Sequence, residues 1–174
     1  MGRPGAGEHQ EERDALADAY DRYGARLYRY LVLVLRDTHA AEDVLQEIFC
    51  KLAARGAFWE VGDPERYLFR AAHNEARRKP ASNRERSGLA ANRRDAKTEE
   101  PRVRAAEEHA AIEQALRTLP PEQAEVIHLK VHEGMTFGRI AELVGCSMNT
   151  AASRYRYGCE KLRKELRGLS DERR

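Results

Sequence analysis

The most informative stretch of the chain runs from Thr136 to Lys164 and reads TFGRIAELVGCSMNTAASRYRYGCEKLRK. Thr136 is a residue type that caps helix N-termini, and the residues after it supply an apolar face: Ile140, Ala141, Leu143 and Val144. Gly145 is expected where a helix ends and the chain reverses direction. Ser147 can then cap a second helix by accepting a backbone N–H. The stretch therefore predicts two helices joined by a tight turn at Gly145-Cys146.

The second predicted helix has two different faces. Apolar and small residues recur at spacings of three and four and predict one buried stripe: Ala151, Tyr155, Cys159, Leu162 and Leu166. The opposite face carries short polar donors, then a long cation and an aromatic: Asn149, Thr150, Ser153, Arg156 and Tyr157. This layout is typical of a helix-turn-helix whose second helix enters the major groove of DNA. An ordinary helical hairpin with a solvated basic face is the alternative.

Composition predicts a helical protein. The chain has 174 residues, of which 34% are charged, and its 31 basic and 29 acidic residues leave a net charge of only +2. β-branched residues are sparse and no segment alternates with period two, so strands are not expected. No apolar run approaches the roughly 18 residues of a membrane span, which argues against membrane insertion. Since the N-terminal residues also lack the apolar core of a secretory signal, we expect the protein to remain in the cytoplasm.

Few residues offer catalytic or metal-binding chemistry. The three cysteines, Cys50, Cys146 and Cys159, are isolated in sequence, which argues against a disulfide framework or a zinc knuckle. His128 and His132 lie four residues apart and could share a helix face as metal ligands. No carboxylate or thiol completes such a site convincingly, so surface histidines are the preferred interpretation. Phosphate loops, zinc-protease motifs and nucleophile elbows are absent, and we expect neither an enzyme nor a cofactor.

Apolar periodicity divides the chain into two helical blocks. Residues 14–79 form the first predicted domain, and residues 105–168 form the second, which contains the helix-turn-helix. A flexible basic linker is predicted over residues 80–104, with a disordered tail at 1–13 and a short tail at 169–174. The expected fold is all-α, with two small helical domains whose cores are each only marginally sufficient.

The linker region is polar and strongly basic. From Arg77 to Arg104, ten basic residues stand against four acidic ones, with Ser, Asn, Gly and Pro between them. Such a composition cannot bury enough apolar surface to fold alone, but its excess charge gives it affinity for a polyanion lying alongside. In the first block, Thr38 and Asp63 are expected to cap helices, and Pro64 suits the first turn of a helix.

Several motifs of the second block occur together within residues 116–166. They are Leu119-Pro120-Pro121-Glu122-Gln123, Glu133-Gly134-Met135-Thr136, Ile140-Ala141-Glu142, Leu143-Val144-Gly145-Cys146, Thr150 and Ser153-Arg154. In this combination the segment resembles the C-terminal promoter-binding domain of bacterial RNA polymerase sigma factors, specifically the small extracytoplasmic-function type of the sigma-70 family. The chain departs from that family at Ala152, where a basic residue is common, and at Asn149, where glycine is common.

The first block resembles the other half of such a factor, in the family's order and spacing. The segment Ala41–Phe49 (AEDVLQEIF) is similar to the helix that docks on the polymerase clamp. The segment Tyr67–Arg78 (YLFRAAHNEARR) is similar to the helix that engages the melted downstream promoter element. The resemblance therefore implies a subunit that lacks catalysis of its own and acts on a partner enzyme.

The resemblance implies three sets of site residues. For the duplex upstream element the DNA-binding residues are Asn149, Thr150, Ala152, Ser153, Arg154, Arg156, Tyr157 and Lys161. For the melted downstream element they are Phe58, Trp59, Tyr67, Asn74, Arg77 and Arg78, although Phe58 and Trp59 could equally cap the small core. For core RNA polymerase they are Asp43, Gln46 and Glu47, whose spacing places them on one polar helix face.

Three hypotheses follow from these patterns. The first is a promoter-specificity subunit whose partners are core RNA polymerase and promoter DNA, with an anti-sigma protein as a further possible partner implied by the resemblance. The second is a stand-alone transcriptional regulator that dimerises to match palindromic half-sites. The third is a regulatory scaffold in which Cys50 or Cys146 senses oxidants, because a thiol near a helix N-terminus can be activated.

Overall fold

The chain divides into two units, Met1–Gly88 and Leu89–Arg174, in a computed structural model. The structure describes residues 6–55, 61–79, 112 and 114–171. Every regular element within those ranges is an α-helix, which confirms the predicted all-α fold. The linker predicted over residues 80–104 lies outside the described residues. Across the described ranges, no helix combines the length and the apolarity needed to cross a membrane.

Three helices make up the first unit: α1 (Ala6–Leu35), α2 (Thr38–Arg55) and α3 (Pro64–Arg78). Each of them packs against the other two. Their shared core contains the buried side chains of Leu27, Tyr30, Leu31, Leu35, Ala41, Val44, Leu45, Ile48, Phe49, Leu52, Leu68, Phe69, Ala72 and Ala76. These positions recur at spacings of three and four, so each helix buries one face and leaves the other for binding.

The start of α3 is fixed by local hydrogen bonding, as predicted. Asp63 Oδ1 accepts a hydrogen bond from the backbone N–H of Arg66 at 3.0 Å, and Pro64 occupies the first turn. An aspartate cap satisfies one of the amide groups that a helix leaves without a partner at its N-terminus. This cap fixes where the Tyr67–Arg78 segment begins and therefore which of its residues face outward.

The start of α2 differs from the prediction by one residue. Asp37, rather than Thr38, caps the helix, since Asp37 Oδ1 accepts from the backbone N–H of Ala40 at 3.0 Å. The reason lies in the preceding turn, where Arg36 adopts a left-handed backbone with a φ of 55°. That conformation reverses the chain immediately after α1, so Asp37 becomes the last residue outside α2.

Two polar pairs link α1 to α3 in the first unit. The buried Tyr30 hydroxyl and His73 Nδ1 lie 3.1 Å apart, and the ring of Phe69 meets the Tyr30 ring edge-on at 5.6 Å. At the entrance to α3, Arg26 Nη2 donates to Glu65 Oε1 at 2.5 Å, while its guanidinium lies 5.7 Å from the Phe69 ring centre. These contacts join α1 to both ends of α3 and hold the outward face of α3 in place.

The second unit contains a helical segment at residues 114–118, then α4 (Pro121–Val131), α5 (Phe137–Val144) and α6 (Met148–Asp171). Helix α4 packs against α5 and α6, and α5 packs against α6. The buried apolar residues are Ala115, Leu116, Leu119, Ala124, Val126, Ile127, Leu129, Met135, Ile140, Ala141, Val144 and Ala151. Between α5 and α6, Gly145 takes a left-handed conformation with a φ of 69°, which confirms the predicted turn of the helix-turn-helix.

Gly158 permits the close approach of α6 to α4. A Cβ atom at this position would lie 2.6 Å from Ile127 Cδ1 and 3.2 Å from Gln123 Cβ. Both distances are shorter than ordinary van der Waals contact, so a larger residue would force the two helices apart or displace Ile127. Since α6 carries the predicted DNA-reading residues, Gly158 sets how that helix sits on its support.

Two predicted tails are partly helical. Helix α1 begins at Ala6, whereas the sequence predicted a disordered tail through residue 13, and α6 continues to Asp171, within the tail predicted at 169–174. The physical reason is intrinsic helix propensity: the residues between Glu8 and Arg13 are mostly good helix formers, although none of them is apolar. Apolar periodicity predicts a helix only as far as its apolar residues extend. The helix itself can continue into polar residues that have high helix propensity.

His128 is buried, which corrects the prediction of a surface histidine. Its side chain is 7% exposed, and its Nε2 lies 3.4 Å from Oε1 of Glu133, whose side chain is 1% exposed. The exposed His132 ring lies 5.0 Å from the His128 ring. Four consecutive residues of α4, from Val126 to Leu129, are buried, so this helix has no solvated face at that level.

Candidate functional site

The N-terminus of α6 is built by side-chain capping. Ser147 Oγ accepts from the backbone N–H of Thr150 at 3.0 Å, and the two hydroxyl oxygens lie 2.8 Å apart. At the preceding helix, Thr136 Oγ1 accepts from the backbone N–H of Arg139 at 3.3 Å. The predicted caps of both helices are therefore confirmed. Because the first turn of a recognition helix points into the groove, its capping determines which side chains reach the bases.

The predicted upstream residues lie together along one side of α6. Asn149, Thr150, Arg156, Tyr157 and Lys161 are exposed, while Ala152, Ser153 and Arg154 are half-buried. On the other side Ala151 is buried, but the rest of the predicted stripe is only half-buried: Tyr155, Cys159, Leu162 and Leu166. The two faces lie where the sequence predicted, but they differ less in burial than predicted, since both contain half-buried side chains. The outward face combines amide, hydroxyl and guanidinium donors, which are groups that can bond to base edges and phosphates.

Arg156 and Tyr157 form a pair on the exposed face. The Arg156 guanidinium carbon lies 5.0 Å from the centre of the Tyr157 ring, and Nη2 donates to the Tyr157 hydroxyl at 3.3 Å. Tyr157 is 51% exposed, so the ring lies on the surface and the guanidinium rests against it. A cation above an aromatic face is attracted by the ring's electron density, and this contact restricts the rotamers of Arg156.

Helix α5 contacts α6 on the side opposite the predicted DNA-binding residues. The rings of Phe137 and Tyr155 meet edge-on at 5.6 Å, and Lys130 Nζ of α4 lies 5.1 Å from the Phe137 ring centre. A hydrogen bond with Cys159 raises the pKa of the Tyr155 phenol, so this hydroxyl is protonated at neutral pH. Together with Gly158, these contacts fix α6 against the rest of the second unit.

The predicted polymerase-binding residues lie on the outward side of α2. Asp43 and Gln46 are exposed and Glu47 is half-buried, whereas Val44 and Phe49 are buried, as the spacing predicted. The face is therefore polar and acidic.

Glu47 is not isolated on this face. Lys51 Nζ lies 2.7 Å from Glu47 Oε1, and its hydrogen bond and positive charge lower the pKa of the Glu47 carboxyl. The carboxylate is therefore ionised at neutral pH, and it is paired with Lys51.

The predicted downstream residues of α3 are also accessible. Asn74, Arg77 and Arg78 are exposed and Tyr67 is half-buried, with the Tyr67 hydroxyl accepting from Arg55 Nη1 at 3.4 Å. An exposed amide and two exposed cations thus lie on the last turns of one helix, where they are predicted to contact a base and phosphates. Phe58 and Trp59, which were predicted to complete this site, lie outside the described residues.

Three charged residues near these sites were not predicted. Arg55 contacts Tyr67, and Lys51 of α2 contacts Glu75 of α3 at 2.8 Å. Each of these contacts joins residues that are 12 or more positions apart in the sequence. No helical spacing rule links such residues, so only the packing of α2 on α3 reveals them.

The described residues contain neither a metal-binding cluster nor a disulfide bond. There, no group of three or more His, Cys, Asp and Glu side chains is arranged to hold a metal ion. All three cysteines are free thiols: Cys50 is exposed, and Cys146 and Cys159 are half-buried. Cys146 Sγ lies 3.4 Å from the carbonyl oxygen of Ser147.

Two family models match the chain, one in each unit. Residues 19–86 match the model described as sigma-70 region 2, and residues 109–162 match the model described as sigma-70 region 4. The first match includes the Asp43–Glu47 face and the outward residues of α3. The second match includes the turn at Gly145 and all eight predicted upstream residues.

Whole-length similarity points in the same direction. The chain is 28% identical over 170 residues to the ECF RNA polymerase sigma factor SigK of Mycolicibacterium vanbaalenii, covering 90% of this chain and 84% of that protein. It is also 28% identical over 172 residues to the ECF RNA polymerase sigma factor SigW of Bacillus subtilis, covering 91% and 92% respectively. The SigK protein of Mycobacterium tuberculosis is 25% identical over 165 residues, with 87% and 86% covered.

Proposed function

Because the chain belongs to the extracytoplasmic-function type of the bacterial sigma-70 family, we propose that it binds core RNA polymerase and directs the enzyme to specific promoters. The observation that carries this proposal is that both family regions occur in one chain, in order. A stand-alone regulator would need the helix-turn-helix but would have no use for the Asp43–Glu47 face.

In this proposal the second unit reads the upstream element as duplex DNA. Helix α6 enters the major groove. The residues that contact base edges are Ala152, Ser153, Arg156 and Tyr157. Arg156 has the fork of donors that pairs bidentately with guanine. Arg154 and Lys161 hold backbone phosphates, which positions the helix without reading sequence.

The first unit captures the melted downstream element. Asn74 offers both a donor and an acceptor to the edge of an unpaired base, and half-buried Tyr67 offers an aromatic surface on the same helix. Arg77 and Arg78 neutralise the phosphates of that strand. Phe58 and Trp59 lie outside the described residues, and they belong to the proposed set only through the family resemblance.

Core polymerase docks on the outward face of α2. Asp43 and Glu47 supply negative charge and Gln46 supplies an amide, so the partner surface should be basic and helical. An anti-sigma protein that covers this face would block polymerase binding, and we propose it as a further partner. Native pull-down of the tagged chain, with polymerase subunits and any inhibitor identified by mass spectrometry, tests both partners.

Run-off transcription with purified core polymerase tests the function directly. The chain should support initiation at a candidate promoter, and the triple variant Asp43→Ala, Gln46→Ala, Glu47→Ala should lose polymerase binding. Failure of the wild-type chain to bind core polymerase at micromolar concentration would reject the proposal. A stable dimer that binds an inverted repeat without polymerase would instead support the stand-alone regulator.

A further inference from the structure

Four charged side chains form one cluster where α2 meets α3. Lys51 Nζ lies 2.7 Å from Glu47 Oε1 and 2.8 Å from Glu75 Oε1. The same Glu75 oxygen lies 3.3 Å from Arg78 Nη1. We refer to Glu47, Lys51, Glu75 and Arg78 as the α2–α3 charge cluster. Its two anions balance its two cations, and it joins the proposed polymerase face to the proposed downstream DNA face.

Glu75 occupies the centre of this cluster. Its side chain is only 15% exposed, whereas that of Arg78 is 75% exposed and that of Lys51 is 49% exposed. The carboxylate is therefore set back between the helices, where Lys51 anchors it, while Arg78 extends over it toward solvent. An exposed ion pair of this kind is weak in water, so a DNA phosphate can compete with Glu75 for the guanidinium.

Resting on the proposed function, in which Arg78 holds the melted strand, we propose that Glu75 is a positioning residue that occupies Arg78 in the unbound protein and thereby lowers its affinity for single-stranded nucleic acid. Any strand must displace Glu75 before Arg78 can bind a phosphate. A promoter strand held by polymerase is present at high effective concentration and achieves this displacement. Stray strands at low concentration do so less often, so the cluster favours promoter complexes over non-specific ones.

The test measures binding of the full-length chain to a fluorescein-labelled oligothymidylate by fluorescence anisotropy. Glu75→Gln should bind about two- to fivefold more tightly than wild type at low salt, because the competing ion pair has gone. Asp21→Asn removes the same charge from an exposed site on α1 and should leave the affinity unchanged.

A double-mutant cycle separates action through Arg78 from direct repulsion of the strand. In an Arg78→Gln background, Glu75→Gln should give little or no gain, since the residue that Glu75 restrains has been removed. An equal gain in both backgrounds would overturn the proposal, and so would an unchanged affinity of folded Glu75→Gln. Circular dichroism melting establishes that each variant is folded.

Run-off transcription with the wild-type chain keeps this inference distinct from the proposed function. If wild type initiates transcription and Glu75→Gln binds the oligonucleotide no better, only the role of Glu75 is rejected. If wild type neither binds core polymerase nor initiates, the proposed function is rejected whatever Glu75→Gln does.

Discussion

Arg156 and Lys161 are both exposed on α6, yet they should affect DNA binding in different ways. Arg156→Ala removes a bidentate base contact and should cost about 1–3 kcal/mol of discrimination at one base pair of the upstream element. Lys161→Ala removes a phosphate contact, so it should weaken binding to all sequences alike and reduce the salt slope by about 0.9. Titration of each variant against matched and single-substituted duplexes, at several salt concentrations, measures both effects.

The control for these substitutions is Arg117→Ala, which removes an exposed cation from the same unit but from outside α6. It should change neither the discrimination nor the salt slope. The proposed roles are wrong if Arg156→Ala and Lys161→Ala give the same loss on every duplex.

Gly158 has no space for a larger side chain. Gly158→Val should lower the free energy of unfolding by about 1–3 kcal/mol, because the added side chain meets Ile127 and Gln123 of α4. Gly138→Val is the matched control, since a Cβ there finds only Thr136 Oγ1, at 3.9 Å, and this variant should stay within about 0.5 kcal/mol of wild type. Urea unfolding followed by circular dichroism compares them, and equal stabilities would refute the close approach.

The cap at the start of α3 should contribute measurably to the stability of the first unit. Asp63→Ala should lower the stability of the first unit by about 1 kcal/mol, because the backbone N–H of Arg66 loses its acceptor. Asp63→Asn keeps a side-chain oxygen at the cap and should remain close to wild type. Chemical denaturation of the two variants tests this, and identical losses would show that the charge rather than the cap is responsible.

Helix ends were also the features most accessible from the sequence. Asp63, Thr136, Ser147 and Gly145 act through neighbours one to four residues away, so their residue types are sufficient to predict them. The prediction of Thr38 as a cap was wrong because the left-handed turn at Arg36 moves the cap to Asp37. No local sequence pattern predicts that turn.

Contacts between helices could not be predicted in the same way. Burial of His128 depends on Glu133 and on the helices that cover α4, and the Lys51–Glu75 pair depends on how α2 lies on α3. Periodicity gives the face on which a residue lies but not the partner that faces it. The candidate sites were therefore predictable as outward faces, whereas the charge cluster that connects two of them was not.

At the scale of the whole molecule, the proposed function requires both units to act on one polymerase. Each unit presents a small set of contacts, so each should bind its promoter element weakly. A covalent tether raises the effective concentration of the second unit once the first has bound, which can multiply the overall affinity by about 10²–10⁴. The benefit depends on the connection between the units and requires no contact between them.

Cutting that connection provides the last prediction. A protease site inserted between Gly88 and Leu89, at the boundary of the two units, leaves every described side chain in place. Before cleavage the variant should initiate transcription like wild type, because a few added residues in the connection lower the effective concentration only slightly. After cleavage, initiation at the same protein concentration should fall by about 10²-fold or more, since the halves must then bind independently. Undiminished run-off transcription by the cleaved chain would mean that one unit suffices and that the upstream and downstream elements are not read jointly.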